Sequence, residues 1–295
     1  MLKTKKLDLF TVLNTMLMLG LVFVTLYPFL YMINISLSSE YHVIRNEVSF
    51  WPKGFTLKWY RIVFSDSRLF IGYRNTIFYS VLGTVIALVC ISTGGFALSQ
   101  RNMICRNFII KALIFTILFS GGMIPTYMVM KSLHLTNTIW AMMLPGTANA
   151  FHLLVFRTFF QGLPEDLFDA GRMDGLNEIQ MFMYIVVPLS KAVFAAIGLF
   201  TAVSIWNNFY SALLYLRDEN LFPLQSVLRK LVLQGTLAAE RVSSTTTSSG
   251  EEGEGLIIIS LKYATIMVST LPILMVYPFL QKYFVKGMLI GSVKS

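Results

Sequence analysis

Six stretches of mostly apolar residues run through this chain, and each is long enough to cross a lipid bilayer. A helix needs about 20 apolar residues to span a hydrocarbon core of roughly 30 Å. In lipid a helix satisfies its own backbone hydrogen bonds, so such stretches favour helices over open sheets. The sequence therefore predicts an all-α, polytopic membrane protein with transmembrane helices at about 11–35, 75–99, 107–130, 138–160, 189–216 and 257–281.

The charge content agrees with a membrane protein. Charged residues make up 13% of the 295 residues and hydrophobic residues 55%, whereas a soluble domain carries roughly 25% charged residues. The net charge of +9 could indicate a nucleic-acid partner. Most lysines and arginines flank the apolar stretches instead, where they orient a protein in the bilayer. We therefore expect no nucleic-acid partner.

Lysines before the first span set the predicted orientation. Lys3, Lys5 and Lys6 precede the first apolar stretch, and basic residues beside a span favour the cytoplasmic side. With six spans, both termini are then cytoplasmic. We predict one membrane domain over residues 1–295, divided by external loops at about 36–74 and 217–256, a cytoplasmic loop at about 162–188 and a cytoplasmic tail at about 282–295.

The two external loops differ in composition. The first contains Trp51, Trp59 and Tyr60, and we predict an interfacial amphipathic piece there because Trp and Tyr favour the headgroup region. The second ends in a polar, Gly-rich tract at 243–255 that has too few apolar groups to fold alone. That tract is either a flexible connection or a loop that contacts a partner.

Motifs for catalysis, metal binding and nucleotide binding are absent from the sequence. There is no G-x-x-x-x-G-K-[ST], no H-E-x-x-H and no C-x-x-C, so we expect no enzyme activity, no metal site and no cofactor in this chain. Cys90 and Cys105 are predicted to be free thiols. The span interiors also lack Asp and Glu, although proton- and sodium-coupled carriers place such groups in the membrane. A transporter without acids in its spans must take its energy from elsewhere.

The acidic stretch PEDLFDAGRMDG, residues 164–175, separates two apolar runs. Pro164 suits the first helical position, and the acids after it face the positive end of the helix dipole. Gly175 ends the helix, and a second helix over roughly 177–187 carries a predicted apolar stripe of Ile179, Phe182, Met183 and Val186. Leu167, Ala170, Gly171 and Asp174 share one face of the first helix. The side chains on this face are mostly small, so the helix could enter a groove of another protein. The alternative is an amphipathic connector without a partner.

The spacing within this stretch is similar to a known motif. Asp169-Ala170-Gly171, then Gly175, then Ile185-Val186-Val187-Pro188 resembles the EAA loop of ABC importer permeases, E-A-A-x3-G-x9-I-x-L-P. The passages GGFALSQR, WNNFYSALLYL and YFVKGMLIGSVK resemble the carbohydrate-uptake branch typified by the second maltose permease. The run FSGGMIPTYMVMKSLHLTNTIWAMMLPG is most similar to the sub-branch for complex oligosaccharides. The resemblance covers nearly the whole chain.

The resemblance implies a division of labour among several subunits. The loop would seat in a cleft of a cytoplasmic ATPase dimer, which holds ATP and Mg, and would carry its closing motion to the spans. A second permease, an external solute-binding protein and an oligosaccharide substrate are the other implied partners, in a bacterial inner membrane. The residues implied for ATPase coupling are Glu165, Asp169, Ala170, Gly171, Arg172, Asp174, Gly175 and Pro188, with Lys286, Gly287 and Gly291 of the tail as further contacts.

Substrate contacts are predicted from side-chain chemistry. Sugars are held by aromatic faces and by hydrogen-bonding amides or hydroxyls. Such groups occur on the fourth and fifth spans, but buried amides that link helices are an equal interpretation. An ATPase-independent secondary carrier and a non-transporting scaffold are the alternative functions. The candidate substrate path consists of Asn149, His152, Trp206, Asn207, Asn208 and Tyr210.

Overall fold

The structure is a computed structural model that describes residues 9–233, 259–272 and 274–275. Within these ranges every regular element is helical, which confirms the all-α fold class. The chain divides into two compact units. One is drawn from 1–67 and 228–272, and the other from 68–227 and 273–295.

Among the described residues, two helices are long and apolar enough to cross a bilayer alone. Helix α1 (Leu9–Ser36) has 28 residues and helix α4 (Ser67–Ser99) has 33, with mean hydropathies of 2.2 and 2.1 in their most apolar windows. Between them lie the short helices α2 (Glu40–Ile44) and α3 (Lys58–Ser65). Helix α4 begins earlier than the predicted span at 75–99, so residues 67–74, predicted as loop, are helical.

The predicted span 107–130 is a broken helix. Its halves, α5 (Arg106–Leu118) and α6 (Met123–Ser132), are bent by 118° relative to each other. Gly122 in the break has a φ of +85°, a conformation that glycine reaches without a steric penalty. The stretch predicted as one span is therefore sharply bent at this glycine, which apolar composition alone does not reveal.

The predicted span 138–160 is also interrupted. Helix α7 (Trp140–Met143) passes into a 3₁₀ turn (Leu144–Gly146), and α8 (Ala150–Gln161) begins after it. Pro145 lies in the 3₁₀ turn, where its missing N–H favours a break in the helix.

The second unit continues with helices formed by the acidic stretch and by the residues after it. They are α9 (Glu165–Met173), α10 (Glu178–Met181), a π-helical turn (Phe182–Val186), α11 (Val187–Leu189), α12 (Lys191–Trp206) and α13 (Tyr210–Tyr215). The chain bends by 84° between Glu178–Leu189 and α12, and the predicted span 189–216 is interrupted at 207–209. If each bent pair forms one span, the described helices provide up to four spans. The predicted sixth span, 257–281, is described only at 259–272, as helix α15, and at 274–275.

In the first unit, two aromatic residues that were predicted to lie at the membrane interface make contacts within the chain instead. Trp59 is fully buried, and its Nε1 donates to the Ser38 carbonyl at 3.2 Å. The Tyr60 hydroxyl lies 2.9 Å from Ser36 Oγ at the end of α1. The amphipathic helix α3 is thus attached to the end of the span. Nearby, a 2.7 Å hydrogen bond from His42 lowers the pKa of Glu47 below its usual value.

In the second unit, the start of the predicted loop 217–256 is fixed on α4. Asn75 Nδ2 donates to the Asn220 carbonyl at 2.7 Å, and the Tyr79 hydroxyl donates to the Leu221 carbonyl at 3.0 Å. Thr76 Oγ1 accepts from the backbone N–H of Leu224 at 2.8 Å, where helix α14 (224–233) begins. The Gly-rich tract at 243–255 lies outside the described residues.

Candidate functional site

The first helix of the acidic stretch has well-defined ends. Pro164 lies just before α9 rather than inside it, and Glu165 and Asp166 occupy the first turn. At the other end Gly175 has a φ of +77°, as predicted. Its N–H donates to the Arg172 carbonyl at 3.0 Å, while the Leu176 N–H reaches the Gly171 carbonyl at 3.0 Å. These two bonds form a Schellman motif, which satisfies carbonyls at the helix end.

The second helix is displaced in register from the prediction. It starts with a capping box, in which Asn177 and Gln180 exchange side-chain-to-backbone bonds of 2.9 Å. The π-helical turn at Phe182–Val186 then adds a residue to the helical repeat and rotates the following side chains. Of the predicted stripe, Phe182 and Val186 are buried, whereas Ile179 and Met183 are exposed; Met181, which was not part of the stripe, is buried.

An aromatic core joins the two loop helices to the helices behind them. Phe168 of α9 is buried, and its ring centroid lies 6.5 Å from that of Phe96 on α4. Phe182 lies 5.3 Å from Phe96 and 6.4 Å from Phe160 of α8. Val193 of α12 belongs to the same buried cluster. The loop is therefore packed against three helices, a contact that the sequence did not predict.

The exposed face of α9 is acidic with one large apolar residue. Glu165, Asp169 and Met173 follow each other at i+4 spacing, as do Asp166, Ala170 and Asp174, and all six are exposed. We call these six residues the docking face. Met173 is 89% exposed, and sequence analysis did not include it among the coupling residues.

Four of the predicted coupling residues lie outside the docking face, one of them being Gly175 at the end of α9. Gly171 is buried, and a Cβ built on it would lie 2.9 Å from Ile185 Cδ1, so it cannot contribute an exposed contact. Arg172 bridges the two helices, with Nη1 at 3.2 Å from Asp169 and Nη2 at 3.9 Å from Glu178. Pro188 is exposed in α11, just before the 84° bend.

Most of the predicted substrate-path residues make local hydrogen bonds. Asn149 caps α8 by accepting from the His152 N–H at 3.0 Å. Asn208 makes two hydrogen bonds to Ser211 in the first turn of α13, and Asn207 donates to the Val203 carbonyl at 3.0 Å. All of these bonds join residues three or four positions apart, so within the described chain the amides make local bonds and not the links between helices that the sequence offered as an alternative.

Two predicted path residues carry buried polar atoms that lack a partner in the described part of the chain. They are Trp206 Nε1 and His152 Nδ1. Thr84 Oγ1 on α4 and Thr201 Oγ1 on α12 are likewise buried and lack a partner in the described chain. Neither threonine was predicted from the sequence. The last predicted path residue, Tyr210, donates to Met123 Sδ. Unpartnered buried donors are costly unless a water or ligand satisfies them.

The other predictions concern the tail, thiols and metals. Lys286, Gly287 and Gly291 lie outside the described residues. Cys90 and Cys105 are free thiols, as predicted. Over the residues that the structure describes, no group of three or more His, Cys, Asp or Glu side chains could hold a metal ion.

Comparison with known proteins places the chain among transport proteins. The sequence profile described as the binding-protein-dependent transport system inner membrane component matches residues 2–290. Protein LplC of Bacillus subtilis (strain 168) is 43% identical over 292 residues, which cover 99% of this chain and 97% of that protein. The polygalacturonan/rhamnogalacturonan transport system permease protein YtcP of the same organism is 38% identical over 268 residues, or 91% and 92% of the two chains.

A solved structure is similar over almost the same length. It is the crystal structure of a bacterial ABC transporter involved in the import of the acidic polysaccharide alginate. One of its chains superposes with a TM-score of 0.84 at 31% sequence identity, covering 93% of this chain and 96% of that one.

Proposed function

The chain belongs to the family of inner membrane components of binding-protein-dependent transport systems, and we propose that it is a permease subunit of an ATP-driven oligosaccharide importer. Family membership makes it a transport permease and not an enzyme. Its location would be the bacterial cytoplasmic membrane, which it crosses several times. The observation that supports the proposal best is the loop at 162–188, which is exposed on one face and packed into the helical core on the other.

This loop would act as the mechanical link to an ATPase. The docking face of α9 would enter a groove of that subunit, and its carboxylates favour a groove lined with basic groups. Phe168 and Phe182 then connect any movement of the loop to α4, α8 and α12. Since a close-packed core transmits displacement rather than absorbing it, closure of the ATPase would shift these helices together.

The proposed coupling through this loop requires an energy source and further subunits. ATP and Mg would be held by the ATPase dimer, and this chain would contribute no cofactor. A second permease would complete the pathway, and an external solute-binding protein would deliver the substrate. The tail at 282–295 is proposed as a further ATPase contact.

The substrate class is proposed from the relatives and from the candidate path. The permease YtcP is described for polygalacturonan and rhamnogalacturonan, and the solved transporter for alginate. Four residues carry unpartnered polar atoms that could form hydrogen bonds with sugar hydroxyls. Trp206 could donate one, and His152, Thr84 and Thr201 could donate or accept one. We propose an oligosaccharide, whose charge a binding test must establish.

The test is purification of the chain from its native membrane in mild detergent, followed by mass spectrometry of all co-purifying proteins. A second permease and a P-loop ATPase are expected. Uptake is then measured in vesicles with a panel of neutral and uronic-acid oligosaccharides, with ATP removed or with the ion gradients collapsed. Uptake that survives ATP removal but not gradient collapse would instead establish the secondary carrier.

A matched pair of variants tests the docking face directly. Ala170→Trp places a bulky side chain on the exposed face of α9 and should abolish co-purification of the ATPase, whereas Ala170→Ser should retain it. Normal uptake in both variants, at equal membrane levels, would contradict docking through this face.

A further inference from the structure

The turn at residues 49–55 is held tightly against the C-terminal end of α1. Asn34 Nδ2 donates to the Ser49 carbonyl at 3.1 Å, and the Ser39 N–H donates to the Lys53 carbonyl at 3.1 Å. The Lys53 N–H in turn reaches Ser38 Oγ at 3.1 Å. Gly54 has a φ of +64°, and a Cβ there would lie 2.5 Å from Ser39 Oγ. The position of this turn is therefore defined by the end of the span.

The turn runs back alongside α1 instead of continuing away from it. The ring centroid of Phe50 lies 5.6 Å from that of Tyr27, nine residues before the last residue of α1, Ser36. At about 1.5 Å per residue, this contact lies about 13 Å below the helix end. Phe50 thus reaches a level that belongs to the membrane-spanning part of α1.

The aromatic residues of this turn face outward, in contrast to those of α3. Trp51 is 80% exposed, and Phe50 and Phe55 are exposed as well. Trp59, a few residues later, is 0% exposed. Lys53 stands exposed between Trp51 and Phe55. Exposed Trp and Phe beside Lys are typical of the membrane interface, where rings meet acyl chains and the ammonium group meets phosphate.

We propose that the turn at 49–55 is a lipid anchor, which inserts Phe50, Trp51 and Phe55 into the outer leaflet beside α1. Residues 9–30 of α1 are exposed on every face of the helix. A partner subunit covers only one side of a helix, so lipid covers the rest, and the surface formed by the turn continues this apolar surface at Tyr27. The anchor ties the segment between α1 and α4 to the bilayer surface.

The experiment measures what surrounds position 51 in a membrane. Trp51→Cys is made in a chain whose Cys90 and Cys105 are replaced by alanine, and it is labelled with a nitroxide. The complex that co-purifies with the chain is placed in vesicles of phosphatidylethanolamine and phosphatidylglycerol. The spin relaxation caused by oxygen, which partitions into lipid, is compared with that caused by a water-soluble nickel chelate. Ser65→Cys on α3, an exposed polar position, is the control.

Oxygen should affect the label at 51 at least several-fold more than nickel, and the order should reverse at 65. Dominant nickel relaxation at 51 would place the turn in water and overturn the proposal. Weak relaxation by both reagents would mean that protein covers the turn, which also overturns it. Phe55→Cys provides a second site if Trp51→Cys does not assemble. None of these readouts depends on transport, so the result is independent of the proposed function.

Discussion

Gly171 lies directly against Ile185, and a methyl group added at position 171 would come within 2.9 Å of Ile185 Cδ1. This contact closes α9 onto the helix that leads to the 84° bend. The atom it meets is the far end of a flexible side chain and not backbone. The loop can therefore accept a small increase in volume here but not a large one.

Gly171→Ala should leave uptake close to the wild-type rate. Alanine gains about 0.5–1 kcal/mol of helix stability relative to glycine, which offsets the adjustment of Ile185. Gly171→Leu should separate the two helices and reduce uptake at least tenfold, because overpacking a close-packed site displaces backbone. Uptake and membrane levels of both variants are measured side by side. Equal uptake by the alanine and leucine variants would show that the helix pair is not closely packed in the working protein.

Phe168→Ala should uncouple the loop from the helices behind it. Removing a buried Phe costs about 3–5 kcal/mol, and here the loss falls between α9 and Phe96 of α4. We expect the ATPase still to co-purify, with its activity no longer stimulated by substrate and uptake lost. Phe168→Leu, which keeps most of the apolar volume, is the matched control and should retain part of the uptake. Stimulated ATPase activity in Phe168→Ala would contradict transmission through this ring.

The helix ends of the coupling loop could be predicted from local chemistry, but its packing could not. Gly175 adopts the left-handed conformation expected at a helix end, because that preference depends only on the residue and its neighbours. The burial of Gly171 depends on its contact with Ile185, which lies in the π-helical turn at Phe182–Val186. A repeat of 3.6 residues placed Met183 on the buried face, but its side chain is exposed within this turn.

The same distinction separates the apolar stretches from the helices. Hydropathy located α1 and α4, since length and composition suffice for a straight span. The reversal at Gly122 depends on a few residues within otherwise apolar sequence. Likewise, the amides of Asn149 and Asn208 looked suited to sugar binding, and only the positions of the neighbouring helix starts reveal their bonds to backbone N–H groups of α8 and α13.

Met173→Glu should weaken ATPase binding without destabilising the chain. The side chain is 89% exposed, so substitution changes the free energy of unfolding by no more than about 0.5 kcal/mol. Because Met173 is the large apolar residue of the docking face, we expect it to meet an apolar part of the groove, where burying a carboxylate is costly. We therefore expect at least a tenfold loss of co-purified ATPase. Met173→Leu keeps the apolar contact and should bind normally. If Met173→Glu retains the ATPase at wild-type levels, this residue lies outside the interface.

Trp206→Phe distinguishes a substrate contact from a packing residue. Within the described chain the buried indole N–H has no hydrogen-bond partner, so its removal should leave thermal stability unchanged or slightly raised. If a sugar hydroxyl accepts from this N–H, losing a bond of about 0.5–1.5 kcal/mol should raise the KM for uptake roughly 2- to 10-fold. Trp140→Phe, at the start of α7, is the matched control and should leave the KM unchanged. If the KM of Trp206→Phe is unaltered and its stability is lowered, Trp206 is a helix-packing residue. His152 is then the remaining aromatic candidate with a buried, unpartnered polar atom in the described chain.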